Sequence, residues 1–214
     1  MYQLHMRKHN GPGLLFTFCG LDGCGKTTMI RRAVEELEHS DALLLTKQPT
    51  DFVRNSAIFR TYMDSPDHSA YDYRALSLLA ASDRIQHTSK VILPALQGGK
   101  TVISDRYFYS CLANLIARGY ASDEWIYEIA ASLIAPDVAF FFDVPVEVAI
   151  SRVRQRPAER TRYIDENLQY RLREAYLNIA KANNGVVIST TLSPDETYLQ
   201  VHQAIQNAKK KKGI

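Results

Sequence analysis

Cysteine is scarce in this chain. Among 214 residues there are three, Cys19, Cys24 and Cys111, with no repeated spacing. An odd, sparse set argues against a disulfide framework. No CxxC pair occurs, so a zinc site is not expected. Long apolar runs are missing as well: none reaches the roughly 18–20 residues that span a bilayer. The opening stretch, MYQLHMRKHNGPG, has no apolar signal core. A reducing, cytoplasmic setting without membrane contact is therefore the expectation. Charge of one sign is not in excess either, since 26 Lys+Arg face 23 Asp+Glu, a net +3. That balance speaks against a general nucleic-acid binder. It leaves room for a local arginine cluster around an anionic substrate.

What remains is ordinary globular composition, 46% hydrophobic and 23% charged, at a length suited to one α/β domain or a domain with a small lid. Short apolar runs at residues 14–19, 42–46, 101–104, 138–142 and 186–189 read as buried strands. Helical spacing fills the intervals, over residues 27–38, 71–97, 166–182 and 195–208. In the long stretch, Leu76, Leu79, Ala80, Ile85 and Ile92 recur near the helical period, and Gly98 and Gly99 end it. Strands alternating with helices predict a mostly parallel sheet covered on both faces. Ligands bind such sheets at the carboxyl ends of the strands, where Gly20, Asp105 and Asp143 fall.

The residues Gly20-Leu21-Asp22-Gly23-Cys24-Gly25-Lys26-Thr27 match G-x-x-x-x-G-K-[ST], with a strand before and a helix after. The glycines let backbone N–H groups close around phosphate oxygens, and the following helix points its positive end at the same anion. Lys26 is placed to bridge the β- and γ-phosphates of ATP and Thr27 to ligate Mg²⁺. A P-loop alone does not name a reaction. Asp105, at a strand end, suits the metal or its waters. The adjacent Arg106 suits a phosphate. Arg152, Arg154, Arg156, Arg160 and Arg162, with Pro157 among them, interrupt the helical pattern and suggest a flap that brings charge to a transferring phosphoryl group. Their spacing does not put all five on one helical face, so two or three are expected to touch substrate.

Taken together, these segments resemble the thymidylate kinase family of nucleoside monophosphate kinases, from about residue 14 to 208. The P-loop continues into Thr28 and carries the family's acidic residue as Asp22. Thr46-Lys47-Gln48-Pro49 is similar to the family's T-R-E-P. Ala81-Ser82-Asp83-Arg84 with Gln86-His87 is similar to A-A-D-R-x-Q-H. Asp105-Arg106-Tyr107, Ser110 and Ala113 follow D-R-Y-x-x-S-x-x-A, and Pro136-Asp137 with Asp143-Val144-Pro145, Glu147 and Val148 follow P-D…L-D-V-P-x-E-V.

The resemblance implies a P-loop NTPase fold with a parallel sheet of five strands in the order 2-3-1-4-5 and a short arginine-rich lid. It implies a flexible segment over residues 1–12, a kinase domain over 13–209 with the lid at about 152–165, and a basic tail over 210–214. ATP would lie on Gly20 to Thr28 with Arg156 beside the adenine and residues 190–193 closing over it. Lys26, Asp22, Arg106 and Arg160 would form the catalytic set, with Thr27 and Asp105 at Mg²⁺. The acceptor would meet Lys47, Arg54, Ala80, Arg84, Asp105, Arg106, Tyr107, Asn114 and Tyr163. Within that set Arg106 holds the phosphate and Arg84 the base edge. A homodimer is implied as well.

Three departures fall beside the phosphate machinery. Cys19 replaces the family's Glu. Ala80 replaces the aromatic residue that stacks on the base, a loss of roughly 1–3 kcal/mol unless another ring such as Tyr71, Tyr73, Tyr107 or Tyr109 replaces it. Asn114 and Leu115 replace an aromatic residue and a Gln near the sugar. The expected function is phosphorylation of a pyrimidine nucleoside monophosphate, thymidylate or a modified relative. A nucleoside or small-metabolite kinase, and a catalytically weak nucleotide-binding regulator, remain as alternatives. No N-K-x-D follows, so a GTPase-like switch is not expected.

Overall fold

Leu14–Gly20 (β1) is buried along its whole length, as a strand is only with partners on both edges and layers on both faces. The computed structural model describes residues 2–64 and 70–214. Thr101–Asp105 (β3) pairs parallel with β1, from Leu14↔Thr101 to Phe18↔Asp105. Val138–Asp143 (β4) pairs on the other edge, from Phe16↔Val138 to Gly20↔Phe142. Leu43–Lys47 (β2) adds to β3 and Val186–Ser189 (β5) to β4. Among the described residues the order is β2-β3-β1-β4-β5, as the resemblance implies. Rings of Phe18, Phe140 and Phe142 pack across β1 and β4, with Phe18 and Phe142 stacked at 5.6 Å.

Register sets the chemistry. Lys47 lies opposite Asp105, Phe18 opposite Asp105, and Asp143 opposite Ser189. Lys47, Asp105, Gly20 and Asp143 therefore share one carboxyl edge. Lys26–Leu37 (α1) packs on Pro194–Lys212 (α10), while Phe108–Ala117 (α6) packs on Glu166–Ala182 (α9).

The long stretch expected at 71–97 is not one continuous α-helix. Asp72 caps Tyr73–His87 (α4) by accepting from Arg74 N. The short helices Asp51–Arg54 (α2) and Ala57–Asp64 (α3) precede it. Thr88–Ile92 forms a π-turn, in which Leu93 N donates to Thr88 O, before Leu93–Gln97 (α5). Pro94 explains the break: it has no N–H and its ring crowds the preceding turn, and a wider turn relieves both. The last helix runs beyond the expected residue 208 to Lys212, ended by Gly213 in the left-handed region. Lysines suit the negative end of a helix. Two of them also find carboxylates, Lys209 with Asp41 at 2.7 Å and Lys212 with Asp137 at 3.8 Å. At the other terminus Leu4 is buried, and Arg7 exchanges backbone hydrogen bonds with Leu133 and Ala135.

Between β3 and β4 lie α6 and Trp125–Ala130 (α7). Between β4 and β5, Val146–Arg154 (α8) leads through a 3₁₀ turn at Pro157–Glu159 into α9. Arg152 and Arg154 thus belong to α8, and only Arg156, Arg160 and Arg162 lie in the turn-rich segment.

Candidate active site

The phosphate-loop candidate closes tightly on its surroundings. A Cβ at Gly20, whose φ is +144°, would stand 2.6 Å from Phe142 O. One at Gly23, φ +81°, would stand 2.1 Å from Ala149 O. Only glycine fits either place. The loop delivers Lys26, buried at 7% exposure, to the first turn of α1. Its Nζ lies 2.8 Å from Asp105 Oδ1. Thr27 follows at the surface of the same turn. Cys19 and Cys24 are buried, and burial pushes the Cys19 thiol up to about 11.

At the end of β3 the chain turns sharply. Arg106 has φ +67°, a left-handed conformation that costs a non-glycine residue about 1–3 kcal/mol. Two hydrogen bonds hold it: Arg106 N donates to Phe18 O at 2.8 Å and Ser104 Oγ to Arg106 O at 2.7 Å. The guanidinium is thereby aimed back at the P-loop. Nη2 donates to Asp22 Oδ1 at 2.5 Å, and Nη1 to Gly20 O at 3.1 Å and Tyr176 Oη at 3.2 Å. Asp22 Oδ2 accepts from Arg162 Nη2 at 3.0 Å. Burial alone would raise the Asp22 carboxyl, but Arg106 and Arg162 hold it well below the usual carboxylate range.

Lys47 lies 3.7 Å from Asp105 Oδ2. Burial, and the charges of Arg54, Lys26 and Arg106, lower its pKa against the pull of Asp105. Burial would raise Asp105, yet Lys26, Arg106 and Lys47 lower it. Lys26, Lys47, Arg54, Arg106 and Arg162 thus outnumber Asp22 and Asp105, and the cluster suits a polyanion.

The segment around Lys47 is pinned by α4. Thr50 N donates to Asp83 Oδ2 at 2.8 Å, and Thr50 Oγ1 to Asp83 Oδ1. His87 Nδ1 accepts from Gln48 Nε2 at 3.0 Å, which leaves Nε2–H to donate to Thr46 Oγ1 at 2.9 Å. Burial, with the charge of Arg84, lowers the His87 pKa against the pull of Asp83. Arg84 is buried beside it; Nη1 donates to Ala80 O at 2.8 Å, and Nε has no hydrogen-bond partner among the described residues.

Several expected contacts take another form. Tyr107 is wholly buried with its hydroxyl on Ile134 O at 2.7 Å, so its side chain lines the core rather than a cleft: the Arg106 turn sends the next residue inward. Asn114 is occupied within its own helix, donating to Ser110 O and accepting from Arg118 Nη1. Tyr163 is 60% exposed, and Arg156 and Arg160 are exposed at the surface. The rings of Phe59, Tyr62 and Tyr73 pack against the small cluster of Val53, Leu76 and Ala80; Tyr109 packs against Phe141. Arg152 donates to Thr190 O at 3.0 Å, and Thr190 adjoins Gly25. Sequence reasoning names Arg162 within the arginine flap, and Asp83 and His87 within the A-S-D-R-x-Q-H segment, without giving them a role at the site, and it does not name Tyr176. Asp83 and His87 carried a signal, one turn apart inside a recognised segment. Tyr176, seventy positions from Arg106, carried none.

Comparisons with known proteins fall in line with this geometry. The family model described as thymidylate kinase matches residues 18–205. The probable thymidylate kinase of Pyrococcus abyssi is 38% identical over 194 residues, covering 87% of this chain and 90% of that protein. The thymidylate kinase of Geobacillus sp. is 33% identical, covering 91% and 97%. The crystal structure of thymidylate kinase from Ehrlichia chaffeensis superposes with a TM-score of 0.70 at 26% identity, covering 91% of this chain and 98% of that one.

Proposed function

The chain belongs to the thymidylate kinase family, and we infer that it transfers the γ-phosphoryl group of Mg²⁺-ATP to thymidylate or a closely related pyrimidine nucleoside monophosphate. The observation that carries this reading is the charge cluster at the P-loop mouth: Lys26 at Asp105, and Arg106 and Arg162 on the two oxygens of Asp22. A monophosphate oxygen is already anionic at neutral pH, so the reaction needs no strong base. What it needs is alignment and positive charge around the transferring group. Lys26 holds the donor phosphates and Arg106 the acceptor phosphate. Arg162 is the lid arginine that already stands at Asp22, and Arg156 and Arg160 approach as the segment between α8 and α9, over residues 155–165, closes.

Thr27 and Asp105 would hold Mg²⁺. A hydroxyl and a carboxylate are hard oxygen donors suited to it. Among the described residues no group of three or more His, Cys, Asp or Glu side chains forms a metal cage. When bound, the ion neutralises phosphate charge. A cytoplasmic homodimer accompanies this reading through the family resemblance alone; no described helix is long and apolar enough to cross a membrane. A monomer mass in sedimentation would remove the dimer.

The test is ADP release from Mg²⁺-ATP with a panel of pyrimidine monophosphates and unphosphorylated nucleosides. Turnover that requires a 5′-phosphate on the acceptor supports the assignment. Turnover of nucleosides alone favours a nucleoside kinase, and ATP binding without turnover favours a regulator.

A further inference from the structure

Arg106 is held from two sides. Asp22 and the Gly20 carbonyl belong to the P-loop, whereas Tyr176 reaches Arg106 Nη1 from α9, the helix packed on α6. A guanidinium only donates, so Tyr176 Oη accepts at 3.2 Å and its own proton must go elsewhere. It goes to Ser110 Oγ at 3.0 Å, in the first turn of α6. The Ser110 side chain is in turn hydrogen-bonded to Cys19 of β1. Tyr176, Ser110 and Cys19 are all buried. Burial pushes the Cys19 thiol up to about 11 and the Tyr176 phenol up to about 12, so the three stay uncharged at neutral pH. The two sides therefore differ in kind. Asp22 carries charge of the same sign as a phosphate and competes with it for the guanidinium. Tyr176 orients the guanidinium and competes for none of its charge.

We propose that Tyr176 is a positioning residue for phosphoryl transfer: its hydroxyl, aimed by Ser110, holds the Arg106 guanidinium in place for the acceptor phosphate without opposing that phosphate by charge. The assignment rests on reading Arg106 as the residue that holds the acceptor phosphate. It separates the two substrates. Lys26, on the donor side, makes its contact with Asp105 and not with Tyr176, so the hydroxyl acts on the acceptor and leaves ATP binding alone.

The experiment measures kcat/KM for thymidine monophosphate and KM for Mg²⁺-ATP in the wild type, Tyr176→Phe and Ser110→Ala. Tyr176→Phe keeps the buried ring and removes only the hydroxyl. It lowers kcat/KM for the monophosphate by about tenfold, the worth of one hydrogen bond to a charged group, and leaves KM for ATP within about twofold. Ser110→Ala takes the acceptor from the Tyr176 proton and shifts the same quantity in the same direction by about threefold. Added to Tyr176→Phe it has no further effect, because it acts through that hydroxyl. An acceptor kcat/KM in Tyr176→Phe within about twofold of wild type overturns the assignment, as does a KM for ATP that rises by the same factor, which a merely loosened core produces. Where Tyr176→Phe fails to fold, Ser110→Ala decides on the same two readings. A wild type that turns over no nucleoside monophosphate overturns this assignment together with the kinase reading beneath it, whereas unaltered turnover in Tyr176→Phe overturns this assignment alone.

Discussion

Replacing Asp22 by Asn removes one negative charge from between two guanidiniums and keeps the side chain's size. Arg106 Nη2 stands 2.5 Å and Arg162 Nη2 3.0 Å from its oxygens, and the Asp22 side chain is 40% exposed. A unit pair at contact distance is worth about 4 kcal/mol at an effective dielectric of 20. Solvent reduces that: exposed pairs measure roughly 0.2–1 kcal/mol, and breaking a buried pair costs about 3–5. A partly exposed carboxylate serving two arginines lies between, so Asp22→Asn should destabilise the fold by about 1–2 kcal/mol at pH 7. In a chain of this size that lowers Tm by roughly 3–6 °C. The pH dependence carries the sharper test. The folded-state pKa is depressed, so the unfolded chain binds the proton first as pH falls. The stabilisation is full above the unfolded Asp value of about 3.9 and is lost as pH drops toward the folded one. Urea titrations of both chains from pH 7 to pH 3 read the difference directly. A gap that is the same size at pH 3 as at pH 7, or no gap at pH 7, would refute the reasoning. Turnover should fall as well, by about tenfold or more, because the freed Arg106 is no longer fixed against the loop.

Lys26→Ala should lower kcat by about 10²–10³-fold or more while the chain stays folded, since Asp105 keeps Lys47; wild-type turnover in the ADP-release assay would reject the role of Lys26. Gly23→Ala should cost at least about 2 kcal/mol, from the left-handed backbone and from a Cβ built 2.1 Å from Ala149 O; urea unfolding within about 0.5 kcal/mol of wild type would contradict the packing. His87 has a depressed pKa through burial, so the stability it secures is complete above the unfolded His value of about 6.5 and declines as pH falls below it. His87→Gln should flatten the stability profile between pH 7 and pH 5, and an unaltered slope would show that His87 does not carry it.

The phosphate side of the site was legible because local backbone makes it. A strand, a glycine-spaced loop and a helix start are consecutive, so their spacing alone sets Lys26 in place. Asp105 and Arg106 follow a short apolar run for the same reason. What the local pattern conceals is the left-handed turn at Arg106, and with it the inward swing of Tyr107. The choice of Arg162 over Arg160 was equally hidden: both stand in one basic run, and only the turn at Pro157–Glu159 decides which guanidinium reaches Asp22. On the side proposed for the acceptor the deciding contacts join distant segments. Thr50 to Asp83 and Gln48 to His87 are tertiary pairings without a periodic signature. Asn114 is the exception, since Arg118 lies four residues on and a helical i,i+4 reading would have found it.

The two carboxylates have a structural reason as well as a chemical one. Lys26, Lys47, Arg54 and Arg106 are brought near one another by the alignment of β1, β2 and β3, and like charges this close repel. Their mutual effect is visible at Lys47, whose ammonium is disfavoured by the other three. A P-loop fold that gathers cations for a polyanion therefore has to stand without it. Asp105 answers Lys26 and Lys47 from within the sheet edge, and Asp22 answers Arg106 and Arg162 from the loop itself. Each carboxylate is held ionised by the cations it separates, against the penalty of its own burial. Positive charge still exceeds negative, and the excess is what a phosphate meets. The same residues that let the site fold thus set how much charge it offers, which is why Asp22→Asn should weaken stability and turnover together rather than one alone.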